Sequence, residues 1–239
     1  MLRLLAVLLT CAPAVAFDRV IVPSGPGGIP DAIGRIVAGE LGATVENAPT
    51  GNGKSAFAIL EQRPGAILLG LRAFRDGPFS ELCVVARSSP FMVSRGPYPS
   101  IIGTPLVGSA GHEAAMIYRG EVRRDVVIVP HRTGIAAFYE FIGGRVDAAI
   151  ASNVAFAREA RLPVAMTFAP TRTKAFPETP SATELGIRVV VREEFALYAH
   201  PSTTPGERRA ACAAANRAMQ ANSARLEGLG VDEAAPARH

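Results

Sequence analysis

The chain has 239 residues, of which 49% are hydrophobic, 6% aromatic and 19% charged, and its formal net charge is +4. That length suffices for one large or two small domains around a core of Val, Ile, Leu and Ala. Basic residues are scattered as singles and pairs, such as Arg123-Arg124 and Arg208-Arg209, so no basic stripe marks the chain as a nucleic-acid binder.

The first residues read as an export signal. Arg3 supplies a positive start, Leu4 to Leu9 a short apolar run, and Ala14-Val15-Ala16 a small-x-small cleavage site. The run is too short to span a bilayer, which needs ~20 residues. Cleavage is expected after Ala16, leaving Phe17 first and the protein in the periplasm. Cys11 follows Thr10, a larger residue than a lipid-attachment site prefers, so no lipid anchor is expected. No later stretch has the length and apolarity of a membrane-crossing helix.

Val20 to Pro23 reads as a strand, and Ser24-Gly-Pro-Gly-Gly-Ile-Pro30 as a turn into a helix over Asp31 to Leu41. Such a turn can aim backbone N–H groups and the positive end of a helix dipole at an anion. Alone it is ordinary turn chemistry. Thr44 to Asn47 reads as a short strand. Ala48-Pro-Thr-Gly-Asn-Gly-Lys54-Ser55 comes close to a phosphate-binding loop, with Ala at the first Gly position. However, the next strand, Ala66 to Leu71, carries no acidic residue for magnesium, and an exported protein meets no ATP pool. The run is therefore read as a turn opening a helix over Lys54 to Gln62. Leu82 to Ser94 reads as one long extended segment.

Leu106 to Ser109 is expected to be a strand, followed by a helix from about His112 to Tyr118. Asp125 to Pro130 and Val146 to Ala151 read as strands, around a helix marked by Ile135, Phe138, Tyr139 and Ile142 and ended by Gly143-Gly144. A helix over Asn153 to Ala160 and a strand over Val164 to Phe168 follow. Ser181 to Glu184 and Thr204 to Glu207 both fit a capping box ahead of a helix, with a strand over Glu193 to Ala199 between them. The last helix is expected to reach about Leu226, and Val231 to His239 to fray.

The alternation of strand and helix predicts an α/β fold of mainly parallel sheets flanked by helices, with ligands at the carboxyl ends of the strands. Three strand-to-helix loops carry binding chemistry: 24–30, 108–112 and 131–134. His112, His131, His200 and His239 are far apart and lack metal-ligand spacing, so no metal and no cofactor are expected. Ser109, His112 and Asp147 could be imagined as a triad, but Val107-Gly-Ser-Ala-Gly111 is not a nucleophile elbow, and catalysis is the minority reading. Cys83 and Cys212 allow one disulfide in an oxidising compartment; two buried free thiols are the favoured reading.

In this order, the segments resemble the receptors of tripartite tricarboxylate transporters, the Bug family of periplasmic solute-binding proteins. Val22-Pro-Ser-Gly-Pro-Gly-Gly-Ile-Pro-Asp31 looks like the family's first loop. Val45-Glu-Asn47 with Pro49, Gly51 and Gly53 resembles its Glu-Asn-x-Pro-Gly-x-Gly segment. Gly108, Ser109 and His112 match its second binding loop. Val129-Pro-His-Arg-Thr-Gly134, continued through Gly143-Gly-Arg-Val-Asp147, resembles its third loop, helix and strand. Phe176 to Gly186 is close to its Pro-rich Glu-x-Gly stretch.

The resemblance implies the type II periplasmic-binding-protein fold, with residues 17–93 plus 194–239 as one lobe and 94–193 as the other. The lobes would close on a di- or tricarboxylate-like ligand, and the receptor, a monomer, would present it to membrane permease subunits. The implied ligand-binding residues are Ser24, Gly25, Gly27, Gly28 and Asp31 in the first loop and Ser109, Ala110 and His112 in the second. Arg132, Thr133 and Gly134 in the third loop and Asn153 beyond it complete the set. The amides of Gly27 and Gly28 would donate to the ligand, and Arg132 would favour a further anionic group; an arginine in such a loop is also common as solvated surface charge. Three departures bear on the ligand. Ala151 stands where many members have Asp, so an ammonium partner is missing there. His131-Arg132 replaces Tyr-Lys, and aromatic residues are few. A sensing protein of the same fold and a secreted α/β enzyme are the alternative functions.

Overall fold

The computed structural model describes residues 17–49, 54–72 and 78–235. The export signal and positions 50–53 of the phosphate-loop-like run lie outside the described residues.

The chain opens on β1 (Arg19–Val22), α1 (Ile29–Leu41), β2 (Thr44–Asn47), α2 (Lys54–Glu61) and β3 (Ala66–Leu71). β2 and β3 both pair parallel to β1. Pro30 sits in the first turn of α1, where a missing N–H costs nothing, and Gly42 ends the helix in the left-handed region. β4 (Ser80–Ser88) follows, and β5 (Phe91–Ser94) already belongs to a second sheet. That sheet is completed by β6 (Ile101–Thr104), α3 (Ala110–Val122), β7 (Val127–Pro130), α4 (Gly134–Ile142), β8 (Ala148–Ala151), α5 (Val154–Glu159) and β9 (Val164–Thr167). The chain then returns: β10 (Glu193–Ala199) inserts antiparallel between β3 and β4. α6 (Pro205–Ala221), α7 (Ser223–Leu229) and β11 (Val231–Ala234) complete the first lobe.

The sheet orders are β11-β4-β10-β3-β1-β2 and β7-β6-β8-β5-β9. Each sheet is parallel where βαβ units build it and antiparallel where a crossing strand enters, so the sheets are mixed rather than mainly parallel. Strand alternation sends side chains to two cores per sheet. Val20 and Val22 pack with α1 and α6 residues such as Ile33 and Ala215, whereas Ile21 packs with Phe57 and Leu60 of α2. In the second sheet Ala148 and Ile150 meet α3 residues, and Ala149 and Ala151 meet α4 residues.

Several expectations are corrected. The extended run Leu82 to Ser94 breaks at Ser89 and Pro90, because Pro90 has no N–H for a ladder, and so divides into β4 of one sheet and β5 of the other. The strand expected at Leu106 to Ser109 is instead 101–104. Pro105 ends it, and Leu106 and Val107 are exposed in a turn closed by the Ser109 N–H on the Leu106 carbonyl. The bonds of a capping box do form at Ser181 and Glu184, but Gly186, with φ of 77°, stops the chain as a turn. In the tail expected to fray, Val231 to Ala234 instead adds a strand beside β4, and positions 236–239 lie outside the described residues. Cys83 of β4 and Cys212 of α6 form a disulfide rather than remaining free thiols, their Cα atoms 6.0 Å apart. Both face the same core, a proximity across 129 residues that spacing could not reveal.

Candidate functional site

A cleft of about 430 Å³ opens between the lobes, where the carboxyl ends of β1, β3, β6, β7 and β8 converge. Its apolar floor includes Leu69, Leu71 and Phe195, with Ile29 and Ile135 at the helix starts. Ser24, Gly25, Gly28, Ser109, Arg132, Thr133, Gly134 and Asn153 line it, from both lobes.

The first loop is shaped by Asp31. This carboxylate is 4% exposed. It accepts from the Gly27 N–H at 3.0 Å, from Arg35 Nε at 2.9 Å and from Asn47 Nδ2 at 2.9 Å. Burial alone would raise its pKa, but the hydrogen bonds from Arg35, Gly27 and Asn47 outweigh it and hold the carboxyl below its usual range. Asn47 Nδ2 also donates to the Ser24 carbonyl at 3.1 Å. Asp31 and Gly27 therefore bond to each other, and neither lines the cleft. Gly27 has φ of 91°, the left-handed region that favours glycine. Gly28 has φ of −90° and needs no such freedom; it caps α1 without a side chain, which leaves first-turn amides of α1 without a capping oxygen.

The other two loops are held by hydroxyls. Ser109 Oγ accepts from the His112 N–H at 3.3 Å, capping α3. Thr133 Oγ1 accepts from the Ala136 N–H at 3.1 Å, capping α4. A hydroxyl that accepts in a cap still has its own hydrogen to donate, so both can present an O–H to the cleft. Gly134 is required by packing. A Cβ there would sit 2.5 Å from Asn153 Oδ1 and 2.7 Å from the Ala151 methyl. Arg132 is exposed and has no hydrogen-bond or ion-pair partner among the described residues. Ala110 lies beside the cleft in a smaller hollow with Gly108 and Glu113. His112 is half-buried outside the cleft and contributes its backbone N–H to the cap. Asp147 accepts from the Ser100 and Ile101 N–H groups at the opposite end of β6, so Ser109, His112 and Asp147 are not brought together.

Sequence reasoning missed Glu193, Ser152 and the apolar floor. Leu69 to Leu71 and Phe195 read as ordinary core strand. The signal for Glu193 was a pair of carboxylates opening an otherwise apolar strand. Glu194 points to one face and pairs with Arg72 and Arg87, whereas Glu193 lines the cleft.

No protein-family model and no curated protein matches the chain. Solved structures do. An R. palustris protein, Rpa4515, described with adipate, superposes with a TM-score of 0.80 at 16% identity, over 92% of this chain and 89% of that one. MatC from Rhodopseudomonas palustris, described with bound malate, gives 0.73 at 19% identity, over 90% and 88%. The periplasmic binding protein BugD gives 0.72 at 16% identity, over 90% and 87%. This chain has the fold of a two-lobed solute-binding protein. The similarity spans nearly all of both chains, so what is shared is the overall fold.

Proposed function

We propose that the chain is an extracytoplasmic receptor that captures a small carboxylate, di- or tricarboxylate-like, and presents it to a transporter of the tripartite tricarboxylate type. One observation carries this reading: hydrogen-bond donors with no acceptor among the described residues converge on one cleft from both lobes. They are the first-turn amides of α1, the hydroxyls of Ser109 and Thr133, and the guanidinium of Arg132. A carboxylate accepts several such bonds at once, and bridging them draws the lobes together. The apolar floor suits a short aliphatic chain, and adipate and malate in the similar proteins are of that class.

Three features support an exported binding protein over an enzyme. The opening residues read as a secretion signal, the Cys83–Cys212 disulfide suits an oxidising compartment, and the imagined triad is not assembled. The test is thermal unfolding of the purified protein against carboxylates, amino acids, sugars and phosphates. At a ligand concentration of 100 Kd, mass action adds ~2.7 kcal/mol, a Tm rise of roughly 5–10 °C at this size. A panel in which carboxylates leave Tm unchanged while sugars or amino acids raise it would overturn the reading.

A further inference from the structure

Glu193 stands apart from the rest of the cleft. Every other polar group lining the cleft is a neutral side chain, a backbone amide or Arg132, yet here a carboxyl group faces the same space. It lies where the chain crosses back into the first lobe, next to the other crossing: its Oε2 accepts from Ser88 Oγ at 3.0 Å. Ser152, just past the end of β8 in the second lobe, is its other hydrogen-bond partner. The carboxyl thus touches both lobes.

Among the described residues no ion pair reaches it, although Arg72 and Arg192 line the adjoining hollow with it. Arg72 is bound to Glu81 and Glu194, and Arg87 to Glu194 and Glu233. Arg192 acts on Asp232 of β11. Glu113 of α3 lines the same adjoining hollow, and Asp232 adds a further negative charge. Burial pushes the Glu193 carboxyl above the usual carboxylate range; the Ser88 and Ser152 hydroxyls hold it back in part, and Asp232 pushes it further up.

We propose that Glu193 reads the far end of the ligand, sharing one proton with a second carboxyl group, so that a dicarboxylate is captured together with a proton and a monocarboxylate is not. This rests on the carboxylate reading above. The near carboxylate takes the amides, hydroxyls and Arg132. The far one meets Glu193, and two carboxylates at hydrogen-bond distance cannot both stay ionised. One proton from solvent then sits between them. Glu193 gives or accepts it, and no bond to carbon changes. Such a site tells a dicarboxylate from a monocarboxylate by pH as well as by shape.

The experiment is calorimetry with adipate, with hexanoate and with the amino acid of the same chain length, from about pH 6.5 to about 9, where both acids are ionised in solution. Adipate affinity is expected to fall as pH rises, approaching tenfold per unit, because binding that takes up one proton weakens tenfold for each tenfold drop in proton concentration. Hexanoate affinity should stay flat. Titrations in two buffers of different ionisation enthalpy should count about one proton taken up with adipate and none with hexanoate. Glu193→Gln should abolish the adipate slope and the proton uptake, and the variant's circular dichroism spectrum and unliganded cooperative unfolding show that it is folded. Adipate binding without a slope and without proton uptake overturns this inference alone, as does a slope that survives Glu193→Gln. Tightest binding of the amino acid would pair Glu193 with an ammonium and overturn it as well. Failure of both adipate and hexanoate to bind overturns the carboxylate reading and this inference with it.

Discussion

The N–H of Gly27 donates to the carboxylate of Asp31 four residues later, at 3.0 Å. That bond fixes the left-handed turn that starts α1, and Asn47 ties the same carboxylate to β2. Asp31→Asn is expected to cost about 1–3 kcal/mol, since a buried network loses a charged acceptor. The pH dependence has a defined sign. The folded pKa lies below the unfolded value of about 3.9. The stabilisation is therefore present above that value and is lost as pH falls through the folded pKa. Urea unfolding should show wild type and variant well separated at neutral pH and converging in acid. Equal gaps at every pH would remove the carboxylate from this role.

Thr133 caps α4 and, in the proposed reading, also donates to the ligand. Valine removes both the cap on the Ala136 N–H and the hydroxyl at the cleft; serine keeps both. Thr133→Val should lower unliganded stability by ~1 kcal/mol and weaken ligand affinity about 10-fold, 1.4 kcal/mol. Thr133→Ser should leave both nearly unchanged. Wild-type affinity in the valine variant would mean that Thr133 serves the helix alone.

Two glycines of the cleft should respond in opposite ways. A Cβ at Gly28 meets nothing nearer than Pro30 Cδ at 3.5 Å, so Gly28→Val fills ligand space without disturbing the fold. Affinity should fall at least ~10-fold, with little change in unliganded Tm. At Gly134 the added methyl collides with Asn153 and Ala151. Gly134→Ala should destabilise the unliganded protein by about 1–3 kcal/mol. Similar Tm values for the two variants would contradict this assignment.

The disulfide ties α6 to β4 inside the first core. Replacing both Cys83 and Cys212 by Ala should cost about 2–5 kcal/mol, seen as a lower urea midpoint. Wild type under reducing conditions should behave like the double variant. A midpoint unchanged by reduction would show that the bond adds nothing to stability.

The legible part of the molecule was local. β1, the turn and α1 follow from β-branched residues, Gly-Pro chemistry and an apolar face at helical spacing. The cap at Thr204 and Glu207 forms as the sequence predicts. What stayed hidden depends on contacts between distant segments. β11 exists because β4 offers an open edge. The two cysteines meet because α6 folds back over the sheet. Glu193 faces the cleft because β10 is inserted between β3 and β4, a placement no window of sequence encodes. The three loops were visible from their Gly and Pro content, but the backbone alone shows that Gly27 turns its N–H inward to Asp31, away from the cleft.

The end of the chain also bears on how the two halves can move. α7 belongs to the first lobe, yet it touches α5 of the second. Arg158 donates to the Gly228 carbonyl at 3.2 Å, and Lys174 pairs with Glu227 at 2.6 Å. Gly230 lies so close to Val154 that a methyl there would sit 2.4 Å from a Val154 carbon. Two adjacent crossing strands would by themselves leave the lobes free to tilt and twist about several axes. A third point of support, set to one side, removes most of that freedom. Any opening or closing of the lobes must therefore carry the α7 surface along α5, and the contacts made there restrict which directions are open to it.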